Sequence, residues 1–272
     1  MTGEPRFREI QAVAFDLDGV IYLGESLVNH AANVLKSLEE FHIPCFFITN
    51  NSTRTRKDIA AKLGRLGIVV KESSIYSSAW LAGKFILKHY PGAIPLVRVV
   101  GSSGLIRELT ADGIRIARDQ EPCEVLLVGY DPAFDYPALV RGFSAVAGGS
   151  QFIACNLERS YPIGNGQWMP GCAGMVGAIA ASAGRDPDHI VGKPNTFMLE
   201  LILQETGLKP EQILVVGDTP DSDIMMANRF GSPSVLLVPH AAGATTSPAD
   251  GCGYKPTACI RDLTELLPLL NV

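Results

Sequence analysis

The stretch AVAFDLDGVIYLG, residues 12–24, decides how the chain is read, because an apolar run stops abruptly at two aspartates, Asp16 and Asp18. An apolar segment of this length bounded by Asp and Gly predicts a buried strand, with Asp16 at its carboxyl end and Asp18 just beyond it. In open α/β sheets that edge is where ligands bind. Two acids at i and i+2 leaving a strand can turn into one crevice, which is costly unless a cation lies between them. The chemistry indicated is a hard divalent cation held by oxygen, with one carboxylate left to attack. The competing reading, Asp as an ordinary turn or helix-cap residue, stays open at this point. A calcium loop is excluded, since Gly19 comes too early and Val20 and Ile21 stand where oxygen ligands are needed.

The bulk properties narrow the field. A chain of 272 residues predicts one large or two modest domains with real cores. With 23 basic against 28 acidic residues, and no basic cluster beyond residues 54–57, there is no electrostatic footprint for nucleic acid or an anionic membrane. The expected partner is a small molecule. The first eleven residues lack the apolar core of a signal peptide, and the small-apolar run at 173–184 is too short and Gly-rich to span a bilayer. A soluble, cytoplasmic protein is expected. The six cysteines (Cys45, Cys123, Cys155, Cys172, Cys252, Cys259) form no C-x-x-C pair and read as reduced residues in or near the core.

Along the chain, helical spacing at 31–41 is stopped by Pro44, and CFFITNN, residues 45–51, reads as a second buried strand feeding a helix at 57–66. This βαβα unit implies a parallel sheet. The rhythm repeats with strands at 96–100, 125–128, 152–155, 213–217 and 234–238, and helices at 105–112, 136–146, 173–183, 196–205, 222–230 and 263–270. Residues 156–171 read as a Gly/Pro-rich loop. Strand ends at Asp16, Thr49 and Asp218 carry polar chemistry, whereas those at Gly101, Gly129 and Cys155 are mostly neutral. That contrast predicts a discontinuous core, residues 1–79 plus 185–272, and an inserted domain at 80–184, with the pocket between them.

Three later features bear on Asp16. Thr49 and Asn50 offer a hydroxyl and backbone amides suited to cradling a phosphate, although the same residues commonly cap helices. Lys193, in VGKP, is placed by Pro194 near a helix's positive end, a position that implies an anion or carboxylates nearby. Asp218 and Asp223, in GDTPDSD, give with Asp221 three acids within six residues of an apolar strand.

The order DxDG, apolar-TN, GKP, GDxxxD resembles the haloacid dehalogenase-like hydrolases. FDLDGVIYLG, FFITNNSTRTR, GYDP at 129–132, PGCAG at 170–174 and VGKP narrow the resemblance to the subfamily of 4-nitrophenylphosphatase and NagD-type phosphatases (subfamily IIA). The resemblance covers nearly the whole chain. It implies a Rossmann-like parallel-sheet core with an inserted α/β cap of the C2 type, and a Mg²⁺-dependent phosphatase acting on a small phosphorylated metabolite. It further implies Asp16 as nucleophile, forming an aspartyl-phosphate, and Asp18 as general acid and base. Thr49, Asn50, Asn51 and Lys193 would bind the phosphoryl group. Asp16, Asp18 through its carbonyl, and Asp218 would bind Mg²⁺, with Asp223 acting through metal-bound water.

Two departures stand out. Relatives usually show Asn-x-Asp where this chain has Asn156-Leu157-Glu158, which leaves Asn156 and Glu158 as candidate selectivity residues of the cap. Thr219-Pro220 also replaces residues common after the metal-binding Asp, in a loop whose backbone is expected to matter more than its side chains. The rival from another class is a non-catalytic phosphate-binding or regulatory protein on the same fold, against which the intact set Asp16, Asp18, Lys193 and Asp218 argues. The substrate is not identified by the motifs, and a homo-oligomer is left open.

Overall fold

The structure is a computed structural model describing residues 7, 9–119, 121–164, 167–238 and 254–272. Cys252 and most of the N-terminal segment lie outside the described residues. In chain order the elements are β1 (Ala12–Asp16), β2 (Tyr22–Leu23), β3 (Ser26–Leu27), α1 (Ala31–Glu40), β4 (Cys45–Thr49), α2 (Arg56–Arg65), β5 (Ile75–Ser77) and α3 (Ser78–His89). They continue with β6 (Leu96–Val100), α4 (Ser103–Ala111), β7 (Arg115–Ile116), β8 (Val125–Val128), α5 (Tyr136–Ala147) and β9 (Gln151–Ala154). Then come β10 (Ser160–Gly164), β11 (Gln167–Pro170), α6 (Cys172–Ala183), β12 (His189–Ile190), α7 (Phe197–Thr206) and β13 (Ile213–Gly217). The last are α8 (Met225–Phe230), β14 (Ser234–Leu237), β15 (Ala258–Ile260) and α9 (Leu266–Leu270).

The chain divides into two compact units, one formed by Met1–Ile48, Leu63–Ser74 and Lys193–Val272, the other by Thr49–Lys62 and Ile75–Gly192. The principal sheet has the order β15-β14-β13-β1-β4-β5. Its pairings from β15 to β4 are parallel, with Phe15 opposite Val216 and Asp16 opposite Ile48. All five residues of β1 and of β13 are buried, the both-faces burial that lets parallel strands read as unbroken apolar runs. From β1 the chain proceeds to β4 on one side, while β13 and β14 return on the other. The carboxyl ends of β1 and β13 therefore flank a topological switch point, where such sheets bind ligands.

The second unit has its own parallel sheet, β12-β9-β8-β6-β7. Its core joins Leu126, Val128 and Phe152 to Val176 and Ile179 of α6. Cys172 is buried in the same cluster, so its thiol packs in the core and burial pushes its pKa up to about 12.

Four departures from the sequence reading have physical causes. The stretch 156–171 is not all loop: β10 and β11 pair antiparallel, and the intervening Asn165-Gly166 dipeptide is a hairpin signal that the two prolines had masked. Helix α3 was not anticipated because eight of its twelve residues are buried, which erases the one-sided pattern; its start is marked by Ser77, whose hydroxyl accepts from the Trp80 N–H. The helix expected at 222–230 opens as a wide turn, Pro220–Ile224, before α8 begins. Pro194 does not start a helix either. It lies in a turn and α7 begins at Phe197, so Lys193 is not held by a helix terminus. Among the described residues no helix is long and apolar enough to cross a membrane.

Core burial makes a test of the first unit. Leu214, fully buried in β13, should cost about 2–5 kcal/mol when changed to Ala. Val69, 94% exposed, should cost under about 0.5 kcal/mol. Urea unfolding of the two variants reads the difference, and equal midpoints would contradict the placement of β13.

Candidate active site

At the shared edge of β1 and β13 the first unit gathers four charged side chains. The Lys193 ammonium donates to Asp16 Oδ1 and to Asp223 Oδ1, both at 2.6 Å. All three residues are buried, Asp223 completely. Asp16, Asp218 and Asp223 each offer a carboxylate oxygen, and these oxygens lie within 4.8 Å of one another. Three carboxylates against one ammonium leave two negative charges in a desolvated space. A hard divalent cation has the charge and the oxygen preference that fit this donor set.

The local backbone builds this geometry. Asp218 follows the last residue of β13, and Thr219 begins the wide turn, where its carbonyl accepts from the N–H of Asp223 at 2.9 Å. The turn brings Asp223 back against the strand end. Thr219 N–H donates to Asp223 Oδ2 at 3.2 Å and its hydroxyl donates to Asp218 Oδ1 at 3.0 Å. The Thr219 side chain thus takes part in the site, more than the sequence suggested. Two glycines make room: a Cβ on Gly217 would fall on the Asp223 carboxylate, and one on Gly19 would fall on that of Asp218. Gly19 also has φ +87°, a conformation that side chains other than Gly rarely adopt.

Crowding shows in the proton affinities. Burial raises Asp16 well above the usual carboxylate range, the Lys193 charge opposes it, and Asp223 and Asp218 add to the rise. Burial works against the Lys193 ammonium, but Asp16 and Asp223 outweigh it and hold its pKa above normal, so the lysine stays charged. Asp218 is raised to about 7, by burial first and then by Asp223, while the Thr219 hydroxyl pulls the other way.

Asp18 sits in the turn after β1, half-buried, where it bridges to Tyr22 and where Gly19 N–H donates to the Tyr22 carbonyl at 2.7 Å. Its carboxylate is not one of the clustered three. Asp223, expected at one remove from the ion, has its carboxylate in the cluster and on the lysine.

Thr49, Asn50 and Asn51 belong to the second unit. Thr49 and Asn50 are buried. Asn51 N–H donates to Thr49 Oγ1 at 3.1 Å, and Asn51 Oδ1 accepts from the N–H groups of Thr53 and Arg54, a local Asx arrangement that shapes the loop. The Asn50 carbonyl accepts from Ser78 Oγ and from Asn156 Nδ2, each at 2.7 Å. Asn156 is 2% exposed, and its Oδ1 accepts from the Glu158 N–H at 3.0 Å, so both ends of its amide are engaged within the unit. Glu158 is half-buried. Ser78 was not anticipated: a serine opening a helix reads as a capping residue, and nothing in its local sequence points to a loop 28 residues away.

The comparisons with known proteins agree with one another. The family model described as haloacid dehalogenase-like hydrolase matches residues 13–115, and a second, HAD-hydrolase-like model matches 190–266. The acid sugar phosphatase of Staphylococcus saprophyticus is 31% identical over 97% of this chain and 99% of that protein. Sugar-phosphatase AraL of Bacillus subtilis is 31% identical over 85% of this chain and 84% of its own length. Among solved structures, the 4-nitrophenylphosphatase of Thermotoga maritima superposes with a TM-score of 0.88 at 26% identity, over 97% of this chain and 98% of that one.

The raised Asp218 makes a pH test of the metal-free protein. Its folded-state pKa of about 7 lies above the ordinary 3.8, so the folded protein holds this proton more tightly than the unfolded chain. Its contribution to stability is full at pH below the ordinary value and is lost as pH rises through about 7. Chelated wild type should therefore lose Tm from pH 4 to pH 8 more steeply than Asp218→Asn, and Mg²⁺ should remove the difference. Parallel pH profiles for the two proteins would contradict the crowding.

Proposed function

The chain belongs to the haloacid dehalogenase-like hydrolases of the 4-nitrophenylphosphatase and NagD type and is a phosphatase, and we propose that it hydrolyses a small phosphomonoester with Mg²⁺ through an aspartyl-phosphate on Asp16. The observation that carries this reading is the buried cluster of Asp16, Lys193 and Asp223 with Asp218 beside it at the sheet edge. A nucleophilic carboxylate needs an ionised oxygen with its charge balanced, and Lys193 supplies that balance on Asp16 Oδ1 at 2.6 Å.

In this reading an oxygen of Asp16 attacks phosphorus and the ester bond to the leaving oxygen breaks. Asp18 protonates that oxygen, then accepts a proton from the water that hydrolyses the aspartyl-phosphate. In this reading the Thr49 hydroxyl and the Asn50 N–H hold the phosphoryl oxygens, while Asn51, assigned to the same loop, spends its own N–H on Thr49 Oγ1. Asp16, Asp218 and the Asp18 carbonyl would hold Mg²⁺, which supplies charge neutralisation and Lewis acidity when bound. Asp223 fixes Lys193 from its far side. The inserted segment, residues 80–184, supplies selectivity, with Glu158 and the β10–β11 hairpin, whose Trp168 is 63% exposed, as its candidate contacts. The names of the acid sugar phosphatase and of sugar-phosphatase AraL make sugar phosphates the first substrate class to test.

The direct experiment is phosphate release from a panel of phosphorylated metabolites, beginning with sugar phosphates and including 4-nitrophenyl phosphate as a class-neutral probe. No release from any of them with Mg²⁺ present would overturn the reading. Asp16→Asn should abolish turnover and the covalent adduct while preserving the fold. Asp18→Asn should slow turnover roughly a hundredfold or more and show a burst with the activated aryl ester before stalling as phosphoenzyme. Wild-type turnover in Asp16→Asn would contradict the assignment.

Calcium gives a separate test. Ca²⁺ takes more oxygen ligands at longer range, so it should draw the second oxygen of Asp16 away from attack and inhibit. Equal rates with Ca²⁺ and Mg²⁺ would refute that view of the site.

A further inference from the structure

We propose that Asn156 and Ser78 are positioning residues for the phosphate loop, acting on Thr49 through the peptide that joins Asn50 to Asn51; the proposal rests on the reading of Thr49 as a phosphoryl ligand. The Asn50 carbonyl receives two donors, Ser78 Oγ and Asn156 Nδ2, both at 2.7 Å, which uses both of its lone pairs. A peptide group is planar, so fixing the carbonyl fixes the Asn51 N–H on its opposite side. That N–H donates to Thr49 Oγ1 at 3.1 Å. A hydroxyl oxygen that accepts at one lone pair is held in one rotamer and keeps its hydrogen to donate elsewhere. The relay therefore turns Thr49 into a directed donor, as an anion site requires.

The donors are themselves fixed. Ser78 is fully buried and opens α3 directly behind its capping residue Ser77. Asn156 has partners of opposite kind at its two ends, the Asn50 carbonyl on Nδ2 and the Glu158 N–H on Oδ1, which determines its amide orientation. Buried to 2%, its side chain is placed to act on the loop and not on a ligand. Asn156 is 106 residues from Asn50, so the contact exists only when the inserted segment is folded.

A double-mutant cycle on inorganic phosphate binding, followed by phosphorus NMR with Mg²⁺ present, tests the relay without turnover. Asn156→Ala should weaken phosphate about tenfold, the equivalent of one charge-assisted hydrogen bond. In a Thr49→Ala background the same change should cost less than about twofold, because the hydroxyl it positions is gone. Ser78→Ala removes a single oxygen and serves as the second variant if Asn156→Ala does not fold. It should show the same dependence on Thr49. Equal losses in both backgrounds, or no loss in either, would overturn the relay. Phosphate binding abolished by Thr49→Ala yet indifferent to Asn156 and Ser78 would overturn the relay and leave the phosphate loop standing. Binding indifferent to Thr49→Ala would overturn the phosphate-loop reading and the relay together.

Discussion

The ammonium of Lys193 between Asp16 and Asp223 is the interaction on which the first unit depends. It joins a residue at the end of β1 to one 177 positions later and to a third beyond β13. In water such contacts contribute little, but buried charges must be matched or the desolvation cost is not recovered. Removing the lysine would leave three carboxylates clustered at the sheet edge, and removing either aspartate partner would leave a buried cation half-paired. The sequence tolerates glycine alone at Gly217 because the Asp223 carboxylate occupies the space of a Cβ. The wide turn at Pro220–Ile224 has the same origin, since it returns Asp223 to the strand it has just left. One ion pair thus dictates a glycine, a turn and the meeting of distant segments.

That arrangement is crowded with like charge. Burial is the first cause of the raised proton affinity at Asp16 and Asp218, and the neighbouring carboxylates that Lys193 only partly offsets add to it. If, as proposed, a divalent ion enters this site, carboxyl protons would leave as it binds, which would link metal affinity to pH. The Thr219 hydroxyl moderates the effect by donating to Asp218.

Much of this was legible in the sequence, and the parts that were not share a cause. Strands β1, β6, β8 and β13 could be read directly, because buried parallel strands are unbroken apolar runs with sharp polar or Gly ends. Asp16 and Asp218 could be read because acids at apolar strand ends are chemically conspicuous, whereas Lys193 stood out in VGKP but was referred to a helix terminus that begins only at Phe197. Helix α3 could not, since burial on nearly all sides removes its period. The β10–β11 ribbon was hidden by prolines, which a two-stranded ribbon tolerates because both of its strands are edges. The role of Ser78 was invisible for another reason. Its partner is a main-chain carbonyl, and carbonyls carry no sequence identity.

The same kind of contact blurs the division, proposed above, between a core that does chemistry and an insertion that selects. Besides Asn156 on the Asn50 carbonyl, residues of the 80–184 segment hold the loop leading into α2 at several further atoms. Ser102 Oγ donates to the Thr53 carbonyl at 3.2 Å, Tyr130 N–H donates to Ser52 Oγ at 2.9 Å, and Gly104 lies so close to the Thr53 carbonyl that a Cβ would clash. Glu108 accepts from the Arg56 N–H at 3.1 Å and from its guanidinium at 3.3 Å, satisfying the first turn of α2. Excising residues 80–184 would remove these partners and Asn156 while leaving Ser78 and the carboxylates of Asp16, Asp218 and Asp223 in place. Groups that lose buried hydrogen bonds cost more than the bonds had contributed, so the loop would re-form around water. On the proposed reading the insertion serves phosphate binding as well as selection, and a chain reduced to the core should bind phosphate poorly even for a substrate that needs no selection.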